Sequence, residues 1–185
     1  IISINMSGQG NDSRQQSAEA LWRELSEFCR SPSLSEEGLR GLIERNRWEP
    51  KNPLSNYDFF LEACQNEEVN EGIIRCLLEY FPVAIGATND EGRSPLHLAC
   101  WNENITLNIV QLLIDAAPNS VRTEDNDGLM PLHHFCWNNN VDEITAMEIL
   151  KLLLEKCLEA VRHADNLGEL PIHEACRSRS PEFCR

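Results

Sequence analysis

A short pattern that occurs three times along the chain is the feature that most restricts its fold. It reads Ser-Pro-Leu-His-Leu-Ala-Cys at 94–100, Met-Pro-Leu-His-His-Phe-Cys at 130–136 and Leu-Pro-Ile-His-Glu-Ala-Cys at 170–176. The starting positions 94, 130 and 170 are spaced by 36 and then by 40 residues. A period of this length indicates stacked supersecondary units, each of which packs on its neighbours.

Two further landmarks, an apolar segment and an acidic turn that ends in glycine, keep the same spacing. The apolar segments lie at 73–85, 109–121 and 149–161, and the acidic turns at 89–92, 125–128 and 165–168. The four extra residues of the longer spacing fall within 138–147, and four residues make about one turn of helix. This position predicts a second helix that is longer at its start, over 141–157.

Each unit is predicted to be a pair of helices. Proline suits the first turn of a helix, where its missing N–H costs nothing, so Pro131 predicts a helix start. Ile109, Leu112 and Leu113 have the i, i+3, i+4 spacing of an amphipathic second helix, which Pro118 ends. One such pair cannot bury its apolar face alone. The sequence therefore predicts an all-α solenoid of helix-turn-helix units joined by short hairpin-like turns.

These motifs resemble the ankyrin repeat family, whose units of about 33 residues contain Thr-Pro-Leu-His-x-Ala. The resemblance covers roughly 52–185, with units of 36 to 40 residues that mark a lengthened, divergent subtype. The family threonine is replaced by Ser94, Met130 and Leu170. The resemblance implies a protein-binding solenoid in which the histidine bonds nearby backbone and the repeat cysteine packs in the core.

The chain before the clear repeats is predicted to be helical as well. Phe-Phe-Leu-Glu-Ala-Cys at 59–64 stands 36 residues before 95–100 and marks a degenerate repeat. Apolar stripes through Leu21 and Leu25 and through Leu39 and Ile43 predict one more helix pair. We interpret this pair as a cap, with an eroded repeat as the alternative.

The resulting organisation has six parts. They are a disordered tail (1–16), a helical cap (17–48), a degenerate first repeat (49–88), a second repeat (89–124), a third repeat with the four-residue insertion (125–164) and a truncated fourth repeat (165–185). Because the fourth repeat has only the beginning of a second helix, we expect the sequence to be part of a longer protein.

Composition restricts the possible partners. The formal charge of −14 disfavours nucleic acid and anionic membranes, which require lysine and arginine, and favours a partner with basic and apolar surface. We expect no nucleic acid, no membrane and a monomer. With no export signal recognised, the eight cysteines are interpreted as reduced thiols of a cytoplasmic protein, with a nuclear location as an alternative.

The recurring His-x-x-Cys pairs at 97–100, 133–136 and 173–176 raise the possibilities of a zinc site and of cysteine catalysis. A structural zinc needs four ligands, and neighbouring repeats are too far apart to share one ion. A catalytic cysteine is typically a single exposed residue, whereas these cysteines are periodic and lie among apolar residues. We therefore expect no metal, no cofactor and no catalytic residue.

The candidate binding residues are those at the family's variable positions, after the repeat cysteine and in the turns. After the cysteine they are Trp101, Asn102, Trp137, Asn138 and Arg177. In the turns they are Asp90, Glu91, Arg93, Asn126, Asp127, Leu129, Asn166, Leu167 and Glu169. Tryptophan and arginine are frequent hot-spot residues. The alternative is that each indole packs onto the neighbouring first helix.

The function predicted from the sequence is that of a non-catalytic scaffold that binds a protein through the concave groove and the turn tips. One alternative is a regulatory or substrate-recruiting region of a larger enzyme whose catalytic domain lies outside 1–185. A metal- or redox-responsive protein that uses the His-Cys pairs is a weaker alternative.

Overall fold

Every regular element in the described part of the chain is a helix. The computed structural model describes residues 9–46, 57–181, 183 and 184, with side chains from residue 19 onward. The α-helices of these residues are α1 (Gln9–Arg30), α2 (Glu36–Arg45), α3 (Asp58–Gln65), α4 (Glu71–Tyr80), α5 (Pro95–Trp101), α6 (Leu107–Ala116), α7 (Pro131–Trp137), α8 (Glu143–Lys156) and α9 (Pro171–Ser178).

The helices pack in two layers that run along the stack. The first helices α1, α3, α5, α7 and α9 each contact the next in one layer, and the second helices α2, α4, α6 and α8 do the same in the other. The buried apolar residues form one continuous core between the layers. The prediction of an all-helical solenoid of the ankyrin type is confirmed.

The repeated histidine explains how the short first helices begin. Its Nδ1 accepts a hydrogen bond from the backbone N–H three residues earlier, at 3.1 Å for His97, 3.1 Å for His133 and 3.0 Å for His173. This bond satisfies one of the free N–H groups at a helix start. It does not need the family threonine, which is why Met130 and Leu170 are tolerated at that position.

The second helices begin at polar N-cap residues, and α4, α6 and α8 are each followed by a 3₁₀ turn. Thr106 accepts a hydrogen bond from the Ile109 N–H, and Asp142 accepts one from the Thr145 N–H. The 3₁₀ turns are Pro82–Gly86, Pro118–Arg122 and Leu158–Arg162. The apolar segments at 73–85, 109–121 and 149–161 are thus each divided into an α-helix and a 3₁₀ turn. Helix α8 has 14 residues and α6 has 10, so the four-residue insertion lengthens the helix.

The amino-terminal region differs from two expectations. Helix α1 begins at Gln9, so residues 9–16 of the predicted disordered tail are helical, because the sequence from there to Arg30 contains no proline and continues a packed helix. Residues 1–8, and 49–56 of the first repeat, lie outside the described residues. Helices α1 and α2 stack on α3 and α4 as the later pairs stack on each other, so the predicted cap has the packing of a repeat.

A ladder of asparagine side chains joins successive repeats where the first helices α3, α5 and α7 end. The Nδ2 of Asn102 donates to the carbonyl oxygens of Cys64 (3.0 Å) and Asn66 (2.9 Å) in the preceding repeat. Asn138 donates in the same way to Cys100 (3.2 Å) and Asn102 (2.9 Å). Asn66 donates likewise to Cys29 and Ser31, at 2.8 and 2.9 Å. Each amide therefore satisfies carbonyl groups that the end of a helix leaves free.

A second ladder joins the turns. The Asn126 N–H donates to the Glu91 carbonyl at 2.9 Å, and the Asn166 N–H donates to the Asp127 carbonyl at 3.0 Å. The turns approach each other closely at Gly92, which has φ of +76°, and a Cβ added there would lie 2.6 Å from Asn126 Oδ1. The turn therefore requires glycine for its positive φ and for this close approach.

The asparagine ladder is expected to stabilise the folded protein. Replacing Asn138 by alanine removes both donated bonds and leaves buried carbonyl groups unpaired, so we expect Asn138→Ala to lower the free energy of unfolding by about 1–3 kcal/mol. The matched control is the exposed neighbour Asn139, where alanine is expected to change it by less than about 0.5 kcal/mol. Urea unfolding followed by circular dichroism measures both, and equal values would contradict a structural role for the ladder.

Candidate functional site

The inner groove is the surface formed by the first helices α5, α7 and α9 together with the acidic turns that precede them. Two tryptophans lie side by side in it. The rings of Trp101 and Trp137 have centroids 5.3 Å apart and an interplanar angle of 41°, and the residues are 47% and 49% exposed. Each indole therefore contacts the first helix of a neighbouring repeat, as the alternative interpretation expected, and still presents about half of its surface to solvent.

Trp101 packs against a network of polar residues. The guanidinium carbon of Arg93 lies 5.6 Å from the Trp101 ring centroid, and Arg93 Nε lies 3.4 Å from Asp125 Oδ2. The same Oδ2 lies 2.9 Å from His134 Nε2, while Asp125 Oδ1 accepts hydrogen bonds from two backbone N–H groups of its own turn. Arg93 thus forms a cation–π contact with the indole and an ion pair with a buried carboxylate.

Burial sets the protonation of this network. Burial raises the pKa of Asp125, but the hydrogen bonds from His134 and from the Leu129 N–H outweigh it and hold that pKa below its ordinary value. Burial, together with the nearby His134, lowers the pKa of His97 to about 4. Burial also lowers the pKa of His134, against the pull of Asp125. The groove floor is therefore built on neutral imidazoles.

The structure corrects the prediction for two of the candidate binding residues. Asn102 and Asn138 are only 7% and 8% exposed, and their amides form the asparagine ladder described above. They were predicted to face a partner because they follow the tryptophans directly at a variable position. Their side chains turn back to the preceding repeat instead, and we remove them from the candidate site.

The candidate residues of the turns remain at the surface, with different surroundings. Asp90, Glu91 and Asp127 are exposed, Arg93 and Leu129 are half-buried, and Leu167 is 87% exposed. Asn126 and Asn166 are exposed, but their amides donate to carbonyl groups of the preceding turn, at 2.8 and 3.1 Å. The two asparagines thus fix the spacing of the tips.

The last two repeats form a cleft beside the second tryptophan. Its lining includes Trp137 and Leu129 on one side and the turn of the fourth repeat, with Leu167, on the other. Arg177 also lines this cleft, where both oxygens of Glu169 accept hydrogen bonds from it and Glu174 lies 2.9 Å away. The cleft therefore combines an indole face, apolar walls and carboxylates.

The repeat cysteines Cys100 and Cys136 are buried as expected, whereas Cys176 of the fourth repeat is exposed, contrary to the expectation that it packs in the core. Cys64 and Cys100 are fully buried, and burial raises the pKa of both thiols, which disfavours the reactive thiolate. The imidazole Nδ1 atoms accept backbone hydrogen bonds, as the resemblance implied. Within the described residues, no three His, Cys, Asp or Glu side chains are placed to hold a metal ion. No described helix is both long and apolar enough to cross a membrane.

The chain was compared with protein-family models and with curated proteins. Residues 103–185 match a family described as ankyrin repeats (3 copies). Residues 63–114 match another described as ankyrin repeats (many copies). The two matches together extend over 63–185. No curated protein matches the chain.

The low pKa of the buried His97 predicts how the free energy of unfolding depends on pH. The unfolded chain binds a proton at His97 as the pH falls through about 6.5, whereas the folded chain binds it only near pH 4, so stability is lost as the pH falls. Between pH 7.5 and 5.5 this difference amounts to about 1 kcal/mol for one histidine. His97→Gln, which does not titrate, is expected to show a smaller loss of unfolding free energy over this range than the unmodified protein. Identical pH dependence in the two proteins would contradict the buried neutral imidazole.

Proposed function

Because the chain belongs to the ankyrin repeat family, whose repeats generally act as protein–protein interaction modules, we propose that it is a non-catalytic scaffold that binds its partner through the inner groove. A stack of helix pairs offers one extended surface on which equivalent positions of successive repeats are aligned. The groove and the turn tips form that surface here.

The observation that carries the proposal is the pair of half-exposed tryptophans. Trp101 and Trp137 occupy the same position in consecutive repeats, so they project side by side from one face. Exposed apolar surface of this kind typically marks an interaction site, and tryptophan is enriched among hot-spot residues. Arg93 packs against the Trp101 ring, and that ring contacts Trp137, so a partner would meet a preformed surface.

The charge of the groove supports a partner with basic and apolar surface. The exposed turn residues Asp90, Glu91 and Asp127 bring carboxylates to the rim of the groove. The formal charge of the whole chain is −14, which repels polyanions and speeds encounter with cations. A partner segment with an apolar centre and basic flanks complements both features.

The proposal predicts the result of removing the aromatic pair. The partner is first identified by affinity capture and mass spectrometry. Trp101→Ala combined with Trp137→Ala is then expected to weaken its binding by more than about 2 kcal/mol, as measured by calorimetry. Because half of each indole is exposed, the double variant is expected to retain its helical circular dichroism.

A matched control removes apolar surface elsewhere. Ile144 lies in helix α8 and Leu158 begins the 3₁₀ turn that follows it, so neither belongs to the inner groove, and they are 77% and 69% exposed. The double variant Ile144→Ala with Leu158→Ala is expected to bind the same partner normally. Loss of binding in the control, or normal binding without the tryptophans, would place the interface outside the inner groove.

A further inference from the structure

Successive interfaces between repeats place different side chains at equivalent positions. Each interface has a set of four equivalent positions. They are the residue after the glycine of a turn, the tryptophan of the same repeat, the first aspartate of the next turn, and the residue after the histidine of the next first helix. Between the second and third repeats they are Arg93, Trp101, Asp125 and His134. Between the third and fourth repeats they are Leu129, Trp137, Asp165 and Glu174.

At the interface between the second and third repeats, the chain itself supplies a cation next to the tryptophan. Arg93 supplies the cation, with its guanidinium carbon 5.6 Å from the Trp101 ring centroid and its Nε 3.4 Å from the Asp125 carboxylate. The other side chain that contacts that carboxylate is His134, which burial keeps neutral. One positive group therefore balances one buried negative group against an indole face.

The later interface keeps the same framework without the cation. Asp165 Oδ1 accepts the Leu167 and Glu169 N–H groups at 2.9 and 2.8 Å, as Asp125 Oδ1 accepts those of its own turn. Leu129 occupies the place of Arg93, and no arginine or lysine of the described residues lies over the Trp137 ring. The neutral His134 is replaced by Glu174.

The charge around this cleft is correspondingly negative. Four carboxylates line it, from Asp127, Asp165, Glu169 and Glu174, against the single guanidinium of Arg177. That guanidinium is paired with Glu169 and Glu174, and among the described residues no ion pair involves Asp165. The cleft thus offers an aromatic face and a carboxylate at the positions equivalent to those that Arg93 contacts in the preceding interface.

We propose that the cleft beside Trp137 binds an arginine side chain of the partner, whose guanidinium lies over the indole and pairs with Asp165 as Arg93 does with Trp101 and Asp125. The proposal rests on the inner groove being the binding surface, and it adds the residue that the groove selects. Arginine fits better than lysine, because its flat guanidinium can stack on a ring and donate to a carboxylate at the same time.

A small probe tests the cleft directly. The 15N-labelled chain is titrated with N-acetylarginine methylamide, and with the uncharged citrulline analogue as a control, while indole and backbone N–H signals are followed by NMR. Arginine is expected to shift the Trp137 indole signal and the amides of 165–169, and to shift the Trp101 indole much less, because Arg93 already covers that ring. Citrulline is expected to leave these signals in place.

Two variants give the probe result its specificity. Leu129→Arg is expected to fill the cleft from within the chain and to abolish the shifts at Trp137. Asp165→Asn is expected to weaken probe binding roughly fivefold, since it removes one ion pair. The turn should survive this change, because Asn89 holds the equivalent place and its Oδ1 accepts the Glu91 and Arg93 N–H groups. It therefore serves as the folded variant should Leu129→Arg disturb the repeat.

The outcomes separate the cleft from the groove. Equal shifts with citrulline, equal shifts at both indoles, or unchanged binding in both variants would overturn the arginine site. Each of these results leaves the scaffold function standing, because that function depends on whether the tryptophan double variant loses its partner. Shifts confined to the Trp137 side that disappear in Leu129→Arg and weaken in Asp165→Asn support the site.

Discussion

The asparagine that follows each of the first helices α3, α5 and α7 donates its side-chain N–H groups to two carbonyl oxygens of the preceding repeat, and the register of these repeats depends on this contact. In Asn102 and Asn138 the carbonyl end of the same amide also accepts the N–H two residues later, at 2.8 and 3.1 Å. One side chain therefore ends a helix, shapes the loop behind it and fixes the neighbouring repeat. Apolar burial supplies most of the stabilising free energy of a solenoid, but it is not directional. The hydrogen bonds of the asparagine side chains are directional, so they determine the register between repeats.

This register gives the groove its chemistry. Because consecutive repeats are held at a constant offset, Trp101 and Trp137 lie ring beside ring, and each turn lies against the next through a backbone hydrogen bond. A change at one repeat position then changes one site along the groove without disturbing the others. Arg93 and Leu129, which occupy the same repeat position, show the effect. The arginine places a cation over Trp101, whereas the leucine leaves Trp137 without one.

The sequence was sufficient for the fold, because Pro-Leu-His and the glycine turn are local signals whose common spacing permits only a stack. It also placed the two tryptophans on one face. It failed for Asn102 and Asn138, because a polar residue at a variable position resembles a surface residue until the preceding repeat is packed against it. The Asp125–His134 contact was missed for a similar reason: the second histidine of 133–134 departs from Leu98 and Glu174 at the same position, but only the folded turn brings a carboxylate to it.

Native-state hydrogen exchange measures directly whether hydrogen bonds between repeats join the turns into one stack. The amides of Asn126 and Asn166 lie in exposed turns, yet each donates to a carbonyl of the preceding turn. Both amides are expected to exchange as slowly as amides inside helix α7, since they open only when the stack opens. Exchange at the rate of an unstructured peptide, with α7 still protected, would show that the turns are not joined to one another.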